Sequence, residues 1–159
     1  MAFEAYASFK GKKQGQLKGE SQKANRSDKW TEVLSFEMGS EVPVDAKGGR
    51  PKGPRTQKPV VITKQIGSAS PQLLQAHWTN EVLSEVIIEI LLHVHVQKRI
   101  TLTNAIVARF HRSTILSSHN TGKRNTNELE QFSFTYGKIL VENLATGTST
   151  TDDWNANNS

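Results

Sequence analysis

The segment from residue 58 to residue 96 reads KPVVITKQIGSASPQLLQAHWTNEVLSEVIIEILLHVHV and predicts a strand, a short helix and a long second strand. In the first strand, Val60 and Ile62 share one face, because side chains alternate between the two faces of a strand. Gly67 and the small residues after it end that strand. We expect the other elements of the chain to form around this unit.

The helix is predicted over about residues 71–78. Ser70 is a candidate cap for the free N–H groups of the first turn, and Pro71 at the first helical position has no N–H to leave unpaired. Leu74 and Trp78 lie four residues apart and share a face. Because two turns of helix are not stable alone in water, we expect this helix to dock on a sheet.

The second strand is predicted over residues 82–96, where the period changes to two. Its β-branched residues and clean alternation favour a strand over the competing helix. One face is mostly apolar and comprises Val82, Ser84, Val86, Ile88, Ile90, Leu92, Val94 and Val96. The other face mixes acidic and apolar residues and comprises Leu83, Glu85, Ile87, Glu89, Leu91, His93 and His95. We expect this mixed face to meet water or another subunit.

Four further segments alternate in the same way and predict strands at about residues 2–10, 30–38, 100–111 and 128–144. In the second of these, one face comprises Trp30, Glu32, Leu34, Phe36 and Met38. In the third, one face comprises Ile100, Leu102, Ile106, Ala108 and Phe110. In the last, one face presents Phe132, Phe134 and Tyr136.

Polar segments predict the connections. A turn at residues 11–15 would return a short strand at residues 16–19 as a hairpin, residues 97–99 are predicted as a second hairpin turn, and residues 117–127 as a polar loop. The result is about seven or eight strands and one short helix. Mostly sequential antiparallel strands predict a mainly β fold, either a barrel or a sandwich.

Residues 42–58, VPVDAKGGRPKGPRTQK, interrupt this pattern. Their prolines and glycines exclude a helix or a central strand. The segment also carries five basic residues, and a loop of this length inside a domain is usually functional or disordered. Its glycine spacing does not match a phosphate-binding loop. We therefore expect a mobile loop that becomes ordered against a partner.

The composition predicts one domain over residues 1–159, with the loop protruding at about 42–58 and a polar C-terminal tail at about 145–159. The apolar fraction of 35% and the mean hydropathy of −0.52 favour a single small core. A net charge of +5 and a pI of about 9.6 permit an acidic partner. Cysteine is absent, which excludes disulfides and cysteine metal sites.

No apolar run approaches the roughly 20 residues of a membrane helix, so membrane insertion is not expected. Residues 1–13 lack the basic and apolar regions of a secretory signal. We therefore expect the protein to fold in the cytoplasm and, if it is exported, to leave without a cleaved signal peptide.

Candidate sites for chemistry are few. His93 and His95 share a strand face, and His111 would have to complete a metal site from a neighbouring strand, so solvated histidines are the favoured interpretation. Glu85 and Glu89 would lie about 13 Å apart on one strand, too far for paired-carboxylate chemistry. The sequence holds no nucleophile or metallohydrolase motif. We therefore predict no enzyme, no metal site and no cofactor.

The alternative function is that of a basic β-barrel that binds nucleic acid, because basic charge with aromatic-bearing strands is typical of single-strand-binding barrels. Against this, Phe132, Phe134 and Tyr136 fall on one alternate face, which is more typical of a core.

Several segments resemble one known family, the haemolysin-coregulated protein (Hcp) family, whose members form the tube (TssD) of bacterial type VI secretion. They occur in the family's order along nearly the whole chain: residues 29–36 (KWTEVLSF), 53–55 (GPR), 58–64 (KPVVITK), 70–73 (SPQL), 100–105 (ITLTNA), 129–139 (LEQFSFTYGKI) and 152–154 (DDW). None is a catalytic signature, so the resemblance depends on their joint order.

The resemblance implies a small antiparallel β-barrel of two sheets with one short α-helix at its side. It further implies a structural protein without catalysis that forms homohexameric rings, which stack into a hollow exported tube and carry effectors in the lumen. The implied partners are further copies of the chain, the contractile sheath, the spike protein and secreted effectors. Nucleic acid is not expected as a partner.

Two sets of site residues follow. The segment at 42–58 resembles the family's protruding loop, which reaches the neighbouring ring, and its candidate stacking residues are Val42, Val44, Lys47, Arg50, Lys52, Arg55 and Lys58. The mixed face of the long strand is the candidate subunit interface, with Glu85, Ile87, Glu89 and Leu91. On this interpretation, deleting residues 48–54 spares hexamers and abolishes stacking, and Glu89→Lys weakens ring assembly more than folding.

Overall fold

The computed structural model describes residues 3–21, 28–117 and 125–154. Within these residues the chain forms ten strands and one helix, so the predicted mainly β class is confirmed. Their bounds, in chain order, are β1 Glu4–Gly11, β2 Gly15–Gln16, β3 Thr31–Val33, β4 Ser35–Glu41, β5 Thr56–Gln65, α1 Ala69–Trp78, β6 Leu83–Leu92, β7 His95–Ser117, β8 Asn125–Thr135, β9 Lys138–Asn143 and β10 Thr148–Asp153.

All of the strand pairs are antiparallel, and the hydrogen-bonded order is β2-β1-β6-β7-β8-β5-β4. The long strand β7 belongs to both sheets, because its first part pairs with β6 and β9 and its second part with β8. β3 pairs with β1 while β4 pairs with β5, and between them the Leu34 N–H donates to the Thr63 carbonyl oxygen at 2.8 Å. The chain therefore closes the two sheets into the predicted barrel.

The core fills the interior of this barrel. Val60 and Ile62 of β5 share one face as predicted, and that face points inward, opposite Phe134 and Phe132 of β8. Phe134 also stacks on Phe9 of β1, with ring centroids 5.8 Å apart. Burying aromatic and β-branched side chains at these cross-strand positions supplies most of the stabilisation of such a sheet.

The segment predicted as one strand over residues 82–96 is two strands, and this prediction is wrong. β6 ends at Leu92, and a two-residue turn at His93 and Val94 leads into β7. Both turn residues have positive φ, 50° and 64°, which matches the twist of a tight hairpin. The turn predicted at residues 97–99 therefore lies inside β7. A β-branched residue with positive φ is rare, so the sequence carries no turn signal here.

The predicted faces of the strand at residues 100–111 are correct only in its first part. Ile100 and Leu102 point inward, but Asn104 has φ 53° and shifts the alternation by one residue. Val107 is consequently buried, whereas Ile106 is 38% exposed. A second irregularity after Val107 turns Phe110 back toward the core. Each bulge exchanges the two faces, since the side-chain period is two.

Three other boundaries differ from the prediction. Residues 30–38 form two strands, β3 and β4, and β3 buries Thr31 and Val33 rather than the face with Leu34. Residues 128–144 also divide, into β8 and β9. The predicted loop at 117–127 is shorter, because β7 reaches Ser117 and β8 begins at Asn125; its remainder lies outside the described residues.

The helix docks on the barrel as predicted, beside β7, with His77 Nδ1 2.7 Å from the Val107 carbonyl oxygen. It begins at Ala69, so Ser70 lies inside the first turn and is not the cap. The buried face comprises Ala69, Ser70, Leu73 and Ala76. Trp78 is 72% exposed, so the face it was predicted to share with Leu74 is not the docked face.

Candidate assembly surfaces and their supporting contacts

The loop between β4 and β5 spans residues 42–55 and has a defined shape. Asp45 N–H donates to the Arg50 carbonyl oxygen at 2.8 Å, and Lys52 N–H donates to the Pro43 carbonyl oxygen at 2.7 Å. An isolated bridge pairs Val44 with Pro51 between them. The turn of this small hairpin needs Gly49, whose φ is 64°. We refer to residues 42–55 as the basic hairpin.

The tip of the basic hairpin is exposed and cationic. Lys47, Arg50 and Lys52 are exposed, and no ion pair joins them to another residue in the described part of the chain. Val42 and Val44 are also exposed beside them. An apolar and cationic surface of this kind can contact acidic groups and backbone carbonyls of a partner.

The other two candidate stacking residues lie at the root of the basic hairpin and already have partners. Lys58 falls within β5, and its Nζ lies 3.9 Å from Glu41 Oε2 in an exposed pair that contributes little stability. Arg55 donates from Nε to Asp152 Oδ2 at 2.8 Å, and a second guanidinium nitrogen contacts Asp152 Oδ1. The predicted loop therefore has two parts. Lys47, Arg50 and Lys52 at the tip form no ion pair within the described residues, whereas Arg55 and Lys58 at the root each have an acidic partner.

Asp152 lies in β10, within the segment predicted to be a polar tail. Gln57 donates its amide N–H to Asp152, and Tyr136 donates its hydroxyl to Gln57 Oε1 at 3.2 Å. The hydrogen bond to Asp152 raises the pKa of the Arg55 guanidinium. Burial, and next the negative charge of Asp152, raises the pKa of Tyr136 above its ordinary value of 10.0. The root of the hairpin is therefore part of a connected polar network.

The raised pKa of Tyr136 predicts that its phenol ionises above pH 10.0 in an alkaline titration of the folded protein. The neutral phenol is favoured in the folded state, so its contribution to stability is complete below pH 10.0 and is lost as pH rises through the higher folded pKa. We expect the phenolate absorbance of the folded protein to include a component above pH 10.0 that Tyr136→Phe removes. If Tyr136→Phe removes only absorbance that develops below that pH, the burial of this phenol is contradicted.

The predicted interface strand, β6, presents its four candidate residues unequally. Glu85 is exposed and Ile87 is half-buried, whereas Glu89 and Leu91 are each 4% exposed within a single protomer. Glu89 Oε2 accepts a hydrogen bond from Arg99 Nε at 2.7 Å across the β6–β7 pair. Glu85 and Ile87 are consequently the two residues with accessible surface for a second subunit. The interface role of all four residues stays a prediction.

A buried ion cluster is the main polar feature that sequence reasoning missed. Lys64 and Glu130 face each other across β5 and β8 and are both 0% exposed. Lys64 Nζ lies 3.2 Å from Glu130 Oε2 and 2.9 Å from Glu20 Oε1. Ser70 donates its hydroxyl to Glu130 Oε2 at 2.6 Å, and Arg112 Nε donates to Glu130 Oε1 at 3.0 Å. The cluster thus has a fully buried pair, Lys64 and Glu130, with the partly exposed Glu20 and Arg112 at its edge.

This ion cluster also holds the helix in place. Glu20 Oε2 accepts a hydrogen bond from Ala69 N–H at 2.8 Å and so performs the capping role predicted for Ser70. Gly67 permits this approach, because a Cβ there would overlap the Glu20 carboxylate. The alternation of β5 could have predicted that Lys64 is buried, because Lys64 lies on the same inward face as Val60 and Ile62.

The three histidines considered as metal ligands, His93, His95 and His111, do not lie together. His93 and His95 lie at the β6–β7 turn, whereas His111 lies in the other half of β7, paired with β8. Across residues 3–21, 28–117 and 125–154, no three histidine, aspartate or glutamate side chains group as metal ligands. In the same ranges, α1 is too short and too polar to span a bilayer.

The sequence matches the family model "Type VI secretion system effector, Hcp" over residues 6–142. It is 32% identical to the major exported protein of Pseudomonas aeruginosa, over 97% of this chain and 96% of that protein. Among solved structures, the fold resembles a crystal structure of an Hcp protein with a TM-score of 0.79 and 25% identity, covering 95% of this chain and 99% of that one.

A secreted Hcp protein of Pseudomonas aeruginosa resembles the chain with a TM-score of 0.73 and 28% identity, over 96% of this chain and 99% of that one. The match to the family model includes most of the barrel and the whole of the basic hairpin. Sequence, strand order and overall structure therefore agree, and the chain belongs to the Hcp family of the type VI secretion system.

Proposed function

We propose that the protein is a structural subunit of the type VI secretion tube. Copies form homohexameric rings, and the rings stack into a hollow exported tube that carries effectors in its lumen. Family membership supports the secretion role. The observation that carries the assembly role is the basic hairpin, whose backbone is held by its own hydrogen bonds. It presents two exposed valines and three exposed cations that form no ion pair within the described residues.

In this function the basic hairpin contacts the next ring. Its hydrogen bonds at Asp45 and Lys52 pre-organise the tip, which lowers the entropy lost when it docks. The free cations then meet acidic side chains or carbonyls on the neighbouring ring, and the flanking valines bury apolar area there. Because these charges are exposed, the contact weakens as salt rises.

The proposed role is not enzymatic, and its further partners are the sheath, the spike and the secreted effectors. The subunit is cytoplasmic before firing and is then secreted without cleavage. Intact-mass analysis of protein from the culture medium tests this, since a shortened N-terminus would contradict it.

The alternative, nucleic-acid binding, is not favoured, because Phe132 and Phe134 are core residues and cannot stack on bases.

Charge reversal at the hairpin tip tests the assembly role. In the variant Lys47→Glu, Arg50→Glu and Lys52→Glu, we expect rings of normal mass in light scattering and few or no stacked rings in electron micrographs. The matched control is Lys12→Glu, Lys13→Glu and Lys18→Glu, which makes the same change in net charge at exposed residues on and beside the β1–β2 hairpin. We expect the control to stack like the unmodified protein.

Two results would contradict this role of the hairpin. Normal tubes from the tip variant would show that its cations do not make the ring-to-ring contact, and equal loss of stacking in the control would point to net charge alone.

Deleting residues 48–54 gives a second test, because it removes the turn at Gly49 and the Arg50 carbonyl that Asp45 binds. Monomers from the unmodified protein at every concentration would contradict the ring itself.

A further inference from the structure

We propose that Asp152 of β10 is a positioning residue for the basic hairpin. Its carboxylate binds Arg55, the last residue of the hairpin, and so sets the direction in which the hairpin leaves the barrel. This Arg55–Asp152 clamp is a property of one protomer. Its consequence for ring stacking rests on the proposed function.

Among the strand pairings of the described residues, one other attachment holds the hairpin near its root. The last pair of the β4–β5 ladder joins Glu41 to Thr56, and the intervening residues bond mainly to one another. Without a further contact, the hairpin could swing as a unit about its two ends. Arg55 supplies that contact, and because two guanidinium nitrogens engage the two carboxylate oxygens, the geometry restrains orientation as well as distance.

Asp152 is itself firmly placed. β10 pairs with β9 along its whole length, with Asp152 opposite Ile139, and Trp154 N–H donates to the Gly137 carbonyl oxygen at 2.9 Å. β9 in turn pairs with β7 in the body of the barrel. The clamp therefore connects the hairpin to the barrel across 97 positions of sequence.

Trp154 completes the clamp. The Arg55 guanidinium carbon lies 5.9 Å from the Trp154 ring centroid, a cation–π distance, and the residue Trp154 is 42% exposed. Gln57 also donates to Asp152 and is held by Tyr136, so the carboxylate is restrained from a second side. An ion pair this close to solvent adds little to global stability. Its role is therefore orientation of the hairpin, which a stability measurement alone would not detect.

The test compares Asp152→Asn with the matched control Asp153→Asn, which removes the same charge one residue along β10. Trypsin cleavage after Lys47 and Lys52 reports the freedom of the hairpin, and electron microscopy reports stacking. For Asp152→Asn we expect cleavage to accelerate about three- to fivefold, stacking to fall, and ring mass and unfolding temperature to stay close to those of the unmodified protein. We expect Asp153→Asn to keep the slow cleavage and the stacking of the unmodified protein, since it leaves the Asp152 carboxylate on Arg55.

The exchange Arg55→Asp with Asp152→Arg should restore slow cleavage, because it rebuilds the pair with reversed polarity. Unchanged cleavage in Asp152→Asn, or equal acceleration in Asp153→Asn, would overturn the clamp. Faster cleavage with normal stacking would overturn its role in assembly. If the unmodified protein forms no stacks, the proposed function fails, whereas the cleavage measurement still decides whether the clamp exists.

Discussion

Lys64→Met is expected to lower the free energy of unfolding by about 2–4 kcal/mol, below the full cost of breaking a buried ion pair because Arg112 still pairs with Glu130. The Lys64 ammonium is fully buried between Glu130 and Glu20, and it also donates to the Gln65 carbonyl oxygen at 2.6 Å. Methionine fills much of the same volume, so the loss arises from charge and hydrogen bonding rather than from a cavity. The surplus negative charge would remain inside the barrel beside the helix N-terminus.

Urea unfolding followed by circular dichroism measures this effect, with all variants at one protomer concentration because assembly adds to apparent stability. The matched control is Lys58→Met, also in β5, which removes an exposed cation whose nearest acidic partner is 3.9 Å away. Its expected loss is about 0–1 kcal/mol. Equal midpoints for Lys64→Met and Lys58→Met would contradict the buried cluster.

A double variant separates charge from packing. Lys64→Met with Glu130→Met replaces both fully buried charges of the β5–β8 pair, and the charges that remain, Glu20 and Arg112, are partly exposed. We expect it to lose less stability than the sum of the two single variants, because residues in contact couple in a double-mutant cycle. Strict additivity would show that the two side chains act independently.

Glu89→Lys is expected to weaken folding and ring assembly together. The sequence pattern placed Glu89 on an interface face and predicted a larger effect on assembly. In the structure Glu89 is buried and accepts from Arg99, so lysine would bring a second cation against that guanidinium with little access to water. The expected loss is about 2–4 kcal/mol, below the full value for a buried pair because Arg99 is partly exposed.

The control for this prediction is Glu85→Lys, on the same face of the same strand but exposed. We expect it to unfold at nearly the urea concentration of the unmodified protein. If β6 contributes to the subunit interface, Glu85→Lys should nevertheless reduce the fraction of rings in light scattering. A Glu89→Lys protein that folds normally but does not form rings would contradict the intramolecular role assigned to Glu89.

The candidate site was predictable in outline. Proline and glycine spacing between residues 42 and 58 marked a loop, and its cations marked a candidate binding surface, since both signals are local. What the pattern could not show is that Arg55 is engaged by Asp152, while Lys47, Arg50 and Lys52 form no ion pair with any residue that the structure describes. An ion pair depends on which distant strand passes beside the residue, and local composition carries no information about that.

The sequence by itself established the mainly β class, the position of the helix and the alternation of β5, because these depend on short-range periods. It also established the Hcp resemblance, because the order of the matching segments along the chain is part of the sequence. Tertiary structure decided which faces turn inward and which charges are buried. The positive φ of Asn104 shifts the alternation of β7 until a second irregularity after Val107 restores it, and the register of β5 against β8 places Lys64 opposite Glu130. Both outcomes follow from strand pairing across the whole barrel. The most stable register is the one that buries the most apolar surface and leaves every buried charge with a partner.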